Sequence, residues 1–260
     1  MCEHCGCNDK EHSGARFSHH FQHDHQFLDK NPKDTSNGEK RKISLEMDLL
    51  EKNAFFAKQN RAFFKNNNLL AVNIISSPGS GKTSLLTRTL ESLREKIPSV
   101  VIEGDQQTEL DAEKIRQTGT FALQIQTGKG CHLDAHLIAH ALEQLPGIRG
   151  GIVWIENVGN LICPALFDLG ESKRVVLLSI AEGDDKPFKY PEAFYGADLV
   201  ILTKIDLLPY TEFSIERCQE GLRRIRPGIE VLELSSKTGE GFGQWFKWIN
   251  NELDKLREKK

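Results

Sequence analysis

The chain has 260 residues, enough to bury a full core as one large or two small domains. A net charge of −3, with 27% charged and 38% hydrophobic residues, leaves no electrostatic footprint for nucleic acid or an anionic membrane. No run approaches the roughly 18 apolar residues of a membrane span, and the polar start lacks the apolar stretch of a secretory signal, so the expected compartment is the cytoplasm.

The chain opens MCEHCGC. In reducing cytosol clustered thiols are ligands or redox groups more often than bridges. Cys2, Cys5 and Cys7 place three soft ligands in one small loop, and the α-amino group can add a fourth; four donors in a plane suit Ni²⁺, whereas Zn²⁺ prefers a tetrahedron. Residues 1–42 are otherwise polar and hold six of the nine histidines, His4, His12, His19, His20, His23 and His25. The segment reads as a disordered metal-binding tail, its histidines a looser reservoir. From Ser44 to about Asn66, the spacing of Leu45, Leu49, Phe56 and Phe63 predicts an amphipathic helix packed on the domain C-terminal to it.

A first strand, LLAVNII (69–75), runs into SSPGSGKTS (76–84) and then into a helix over 83–96. Backbone N–H groups of a glycine-rich turn and a helix N-terminus surround phosphates well. Gly79, Ser80, Gly81, Lys82, Thr83 and Ser84 are therefore assigned to nucleotide, with Lys82 reaching the β and γ oxygens and Thr83 ligating Mg²⁺. Ser76 stands where the pattern G-x-x-x-x-G-K-S/T has its first glycine. After the second strand, SVVIE (99–103), the stretch EGDQQTELD offers Asp105 and Asp111 to orient water or the ion. Asp111 reads equally well as an acid in the first turn of a helix.

The third strand, FALQIQ (121–126), leads to Cys131-His132 and a helix over 132–145. The fourth, GIVWIE (151–156), ends in Glu156 with Gly159 three residues on, the D-x-x-G arrangement that holds Mg²⁺ and senses a γ-phosphate, here with Glu for Asp. Cys163-Pro164 comes next. Cys131, His132 and Cys163 suit Zn²⁺ or Ni²⁺ as an open or dimer-shared site, although either thiol alone reads as a small buried hydrophobe. Cys163 lies close enough to Gly159 for metal and nucleotide to bias each other's affinity. His136 and His140 read as a solvated stripe, and Cys218 as core.

The fifth strand, RVVLLSI (174–180), precedes AEGDDKPFKYP. The sixth, DLVILT (198–203), ends in TKID, and the seventh, IEVLEL (229–234), in SSK. Ligands of open α/β sheets sit beyond the carboxyl ends of strands. Asp206 accepts from N1–H and the 2-amino group of guanine, a pairing adenine cannot make. Lys204 can lay its stem on the ring, while Ser235, Ser236 and Lys237 supply donors to the guanine oxygen. Thr203 replaces the usual Asn and removes one amide contact. Short Val/Ile/Leu runs alternating with helices predict a doubly wound, mostly parallel α/β domain over 43–260.

With SSPGSGKT, EGD, Cys131-His132, ENVGNLICPA, AEGDDKPFKYP and TKIDLLP in this order, the chain resembles the HypB family of hydrogenase nickel-incorporation GTPases, over residue 43 to the C-terminus; MCEHCGC is similar to the C-x-x-C-G-C start of some members. The resemblance implies a P-loop GTPase that hydrolyses GTP to GDP, dimerises with GTP, and delivers Ni²⁺ to the hydrogenase large-subunit precursor with the zinc-containing partner HypA. It gives nucleotide work to Lys82, Thr83, Asp105, Glu156, Lys204 and Asp206 (Mg²⁺ at Thr83, Asp105 and Glu156), and metal to Cys131, His132 and Cys163. It also makes Lys189 the candidate lysine for the nucleotide of a dimer partner. The rivals are a urease-type nickel GTPase, disfavoured because Ala165 follows Cys163-Pro164 where that group has His; a nickel store; and an ATPase, against which Asp206 argues.

Overall fold

The computed structural model of the protein describes residues 16–18 and 35–258 except 107 and 129, with side chains from residue 47 onward. Eight parallel strands form one sheet: β1 (Arg16–Ser18), β2 (Leu70–Ser76), β3 (Ser99–Asp105), β4 (Phe121–Gln126), β5 (Ile152–Glu156), β6 (Lys173–Ser179), β7 (Leu199–Thr203) and β8 (Glu230–Leu234). Their order is β1-β4-β3-β5-β2-β6-β7-β8. The helices are α1 (Thr35–Asn66), α2 (Lys82–Leu93), α3 (Leu110–Gln117), α4 (Ala135–Leu142), α5 (Cys163–Leu166), α6 (Lys186–Lys189), α7 (Pro191–Tyr195), α8 (Ile215–Ile225) and α9 (Phe242–Glu258).

The sheet is covered on both faces, which is why its inner strands read as unbroken apolar runs. Along β2 all seven residues are buried. Leu70, Val72 and Ile74 point toward α2 and α9, packing with Leu86, Leu90, Trp245 and Ile249. On the other face Ala71 joins Phe64 of α1 and Ile138 of α4, and Ile75 joins Phe194 of α7 with Cys218 and Leu222 of α8. The core reading of Cys218 matches this placement, and burial pushes its thiol up to about 12. Because β2 sits between β5 and β6, the chain switches direction of winding at its carboxyl end, where α/β sheets form a crevice.

Two stretches depart from the reading of residues 1–42 as a disordered tail. Arg16–Ser18 pairs in parallel with Gln124 to Gln126 of β4. The first helix begins at Thr35, nine residues ahead of the expected Ser44. Its later turns are held by packing, and once a helix is nucleated each added residue costs little. Cys2, Cys5, Cys7 and the six tail histidines lie outside the described residues.

Helix α1 also fastens the segments that follow Cys131 and Cys163. The buried Asn60 amide donates to the carbonyls of Ala135 (2.8 Å) and Leu169 (3.0 Å). Asn53 donates to Asp168 O at 2.8 Å and accepts from Ala135 N at 2.8 Å. Buried amides satisfied in this way fix the register of three segments at once.

Candidate functional site

The loop between β2 and α2 needs two left-handed residues, and glycine supplies both: φ is 74° at Gly79 and 97° at Gly81. The loop is held from outside. Thr203 Oγ1 donates to Ser80 O at 2.7 Å, Lys204 Nζ donates to Gly79 O at 2.7 Å, and Ser80 Oγ donates to Glu182 Oε1 at 2.6 Å. Thr203, expected only to remove a contact, is buried and ties β7 to the loop. Ser76, in place of the first glycine, is buried and its hydroxyl accepts from Lys82 Nζ at 3.1 Å. Burial lowers the Lys82 pKa, opposed by Glu156, Asp111, Glu103 and Glu182.

Three of those carboxylates, Glu103, Asp111 and Glu156, line a cavity of about 270 Å³ beside the loop together with Lys82, Asp105 and Gly159 among others. Thr83 Oγ1 donates to Glu156 Oε1 at 2.6 Å. Register places Glu103 directly beside Glu156 on the neighbouring strand, and both are almost fully buried. One oxygen of each, Oε2, has no hydrogen-bond partner among the described residues. Burial raises Glu156 to about 7, with Lys82 and Thr83 opposing. Burial and then the Glu156 charge raise Glu103 to about 9. Asp105 Oδ1 accepts from Thr108 N at 3.0 Å. Asp111 lies in the first turn of α3, as the helix reading has it, pairs with Lys114 at 2.9 Å, and also lines the cavity. Glu103 carries no such signal in the sequence, where it looks like any polar strand end.

Two carboxyls raised above their ordinary value of 4.5 favour the folded state while protonated, and that contribution is lost as pH rises through about 7 and then about 9. The ligand-free chain is therefore expected to melt at lower temperature at pH 8.5 than at pH 5.5. Glu103→Gln should flatten the trend in thermal scans, and an unchanged slope would contradict the assignment.

A second cleft, of about 380 Å³, lies on the other side of the loop and includes Ser80, Gly81, Ser84, Lys204, Asp206 and Lys237. Lys204 adopts φ 61°, which carries the chain from β7 into the turn bearing Asp206. Asp206 Oδ1 accepts from Ser235 Oγ at 2.6 Å. Ser236 lines the same cleft, and its carbonyl accepts from Arg88 at 2.8 Å. The cleft thus has an oriented carboxylate at one end and the loop at the other. Lys189 is placed elsewhere: it is exposed on α6, paired with Asp185, and lines neither cleft.

The ligating atoms of Cys131, His132 and Cys163 all lie within 4.8 Å of one another. Asn157, next to Glu156, brings their segments together. Its Oδ1 accepts from Leu133 N at 3.1 Å and Val158 N at 3.0 Å, and its amide donates to Asn73 Oδ1 at 3.3 Å. His132 stacks on Phe167 with centroids 4.0 Å apart, and burial lowers its pKa, favouring the neutral imidazole that ligates metal. Burial and the Cys163 thiol push the Cys131 thiol up to about 11. His136 and His140 are not a solvated stripe. Both are half-buried, and their Nε2 atoms are 3.0 Å apart.

Residues 70–233 match the family model described as CobW/HypB/UreG, nucleotide-binding domain. The chain is 53% identical over 226 residues to the hydrogenase maturation factor HypB of Azotobacter vinelandii, covering 84% of this chain and 75% of that protein. Among solved structures, HypB from Archaeoglobus fulgidus superposes with a TM-score of 0.74 at 40% identity, covering 78% of this chain and all of that one. HypB from Helicobacter pylori in complex with nickel gives 0.75 at 36% identity, covering 80% of this chain and 96% of that one. A glycine-rich loop on a parallel sheet, carboxylates beside it and similarity along four-fifths of the sequence lead to one assignment: the chain belongs to the CobW/HypB/UreG family of P-loop nucleotide-binding proteins, among the HypB hydrogenase maturation factors.

Proposed function

We propose that the chain hydrolyses GTP to GDP and phosphate in the cytoplasm and uses that cycle to take up and release nickel, as cargo, at Cys131, His132 and Cys163 for hydrogenase maturation. Its named relatives are hydrogenase maturation factors, and one neighbour was solved in complex with nickel. The observation that carries the coupling is Asn157: one side chain links the end of β5, beside the carboxylate cavity, to the backbone just after His132.

The geometry supports the following residue roles. The loop N–H groups and Lys82 receive the phosphates, and Asp206, oriented by Ser235, reads guanine. Asp105 and Asp111 are the residues available to orient the attacking water, and charge on the transferred phosphoryl oxygens is met by Lys82. The orphaned Glu156 oxygen, with Thr83 and Asp105 in the same region, fits a hard cation, so these would hold Mg²⁺, which supplies charge neutralisation at the phosphates. Gly159 runs so close to the loop that a Cβ there would meet Pro78 at 3.0 Å; when γ-phosphate leaves, this glycine is the point free to shift, and Asn157 and Cys163 lie on the same segment. GTP-dependent homodimerisation, exchange with the partner HypA and delivery to the hydrogenase large-subunit precursor complete the reading. Zn²⁺ is the competing occupant of the thiolate site, and Cys2, Cys5 and Cys7 form a separate nickel clip.

The test is a titration of Ni²⁺ into a chain with Cys2, Cys5 and Cys7 all changed to Ala, in GDP and in a non-hydrolysable GTP analogue. Affinities differing by about 5- to 150-fold are expected. Equal affinities in the two states would overturn the coupling.

A further inference from the structure

His136 and His140 have no part in the mechanism above, yet their arrangement is specific. They lie four residues apart on α4, so their side chains share one face. The two Nε2 atoms are 3.0 Å apart and the ring centroids 4.5 Å. The Phe56 ring of α1 packs against His136 with centroids 4.6 Å apart. On the far side of the pair, Glu143 Oε2 lies 3.7 Å from His140 Nδ1.

We propose that His136 and His140 form a second metal site, distinct from Cys131, His132 and Cys163, which binds a divalent first-row transition cation such as Ni²⁺ through the two imidazoles, with water completing the shell. Two nitrogens each about 2.1 Å from a metal and at right angles stand about 3.0 Å apart, the separation already present. Two histidines four apart on a helix are a known way to hold a cation on one face. Glu143 Oε2, 3.7 Å from His140 Nδ1, lies on the side of the ring where carboxylates that orient metal-bound histidines sit. The two Nε2 atoms share one N–H···N hydrogen bond at 3.0 Å, so a cation bound between them displaces that proton to solvent, and the Phe56 ring packed on His136 keeps its imidazole turned toward His140.

The site has no thiolate, so it holds soft borderline cations less tightly than the cysteine site and exchanges them faster. Helix α4 begins three residues after His132, so a cation held here rides on the element that follows the tighter site. Cation binding at this pair requires neither GTP hydrolysis nor nickel transfer.

The test uses the full chain, Ni²⁺ alone as probe, and diethyl pyrocarbonate modification read at each histidine by mass spectrometry. Ni²⁺ should protect His136 and His140 together. His136→Gln should raise the Ni²⁺ concentration needed to protect His140 about tenfold or more, since the second ligand acts intramolecularly. His140→Cys, which supplies another ligand, should keep His136 protected. Cys163→Ala should leave the pair's protection in place, which separates this site from the one proposed above. Protection of His140 unchanged by His136→Gln, or no protection of either histidine, would overturn the proposal.

Discussion

Glu156→Gln is expected to lower GTP turnover by about 10²- to 10³-fold, the usual cost of removing one preorganised charged group from a water-excluded site. Gln keeps the length of the side chain and can still accept from Thr83, so the 2.6 Å bond survives. What disappears is the negative charge and the second oxygen, the one without a partner among the described residues. The same change should raise the melting temperature of the ligand-free chain at pH 8, because a fully buried carboxyl with its pKa raised to about 7 no longer has to ionise there. Phosphate release and thermal scans should therefore move in opposite directions. Turnover within threefold of the parent chain would remove Glu156 from the hydrolytic machinery.

Asp206→Asn should weaken GTP binding by about 10²-fold and transfer preference to xanthosine triphosphate. A carboxylate offers two acceptors, matching N1–H and the 2-amino group of guanine, whereas an amide offers one acceptor and one donor, matching N1–H and the C2 carbonyl of xanthine. Losing one charge-assisted hydrogen bond and setting donor against donor costs about 3 kcal/mol, or about 10²-fold. Ser235→Ala should give a milder loss without the change of base, since Ser235 orients Asp206 and keeps no donor pattern of its own. Competition between the two triphosphates for each variant reads this directly. A D206N variant that still prefers GTP would place the base elsewhere.

The seven strands expected from sequence are present within a residue or two, because strands buried on both faces are largely apolar and so leave recognisable Val/Ile/Leu runs. The glycine-rich loop was legible for a related reason: positive φ at Gly79 and Gly81 demands a specific residue type at a fixed spacing. Glu103 was not legible. At the end of SVVIE it resembles a solvated strand terminus, and only the pairing of β3 with β5 reveals that it is buried beside Glu156. Asn157 was hidden likewise, since its partners Asn73 and Leu133 come from other elements. For His136 and His140 the spacing was visible and the burial was not, because Phe56 arrives from a helix some eighty residues earlier. The start of α1 failed for another reason: residues 35–42 are all polar or glycine and give no apolar periodicity to read, while a helix once nucleated extends at little cost per residue.

The tethers on the glycine-rich loop bear on how fast it works. Thr203, Lys204 and Glu182 grip the loop at Ser80 and Gly79 through the protein's own hydrogen bonds, so its conformational entropy is surrendered at folding. Capture of a nucleotide then approaches a single diffusive encounter, and the affinity for different triphosphates is set by how long each stays, so residence time becomes the quantity on which substitutions in this loop act.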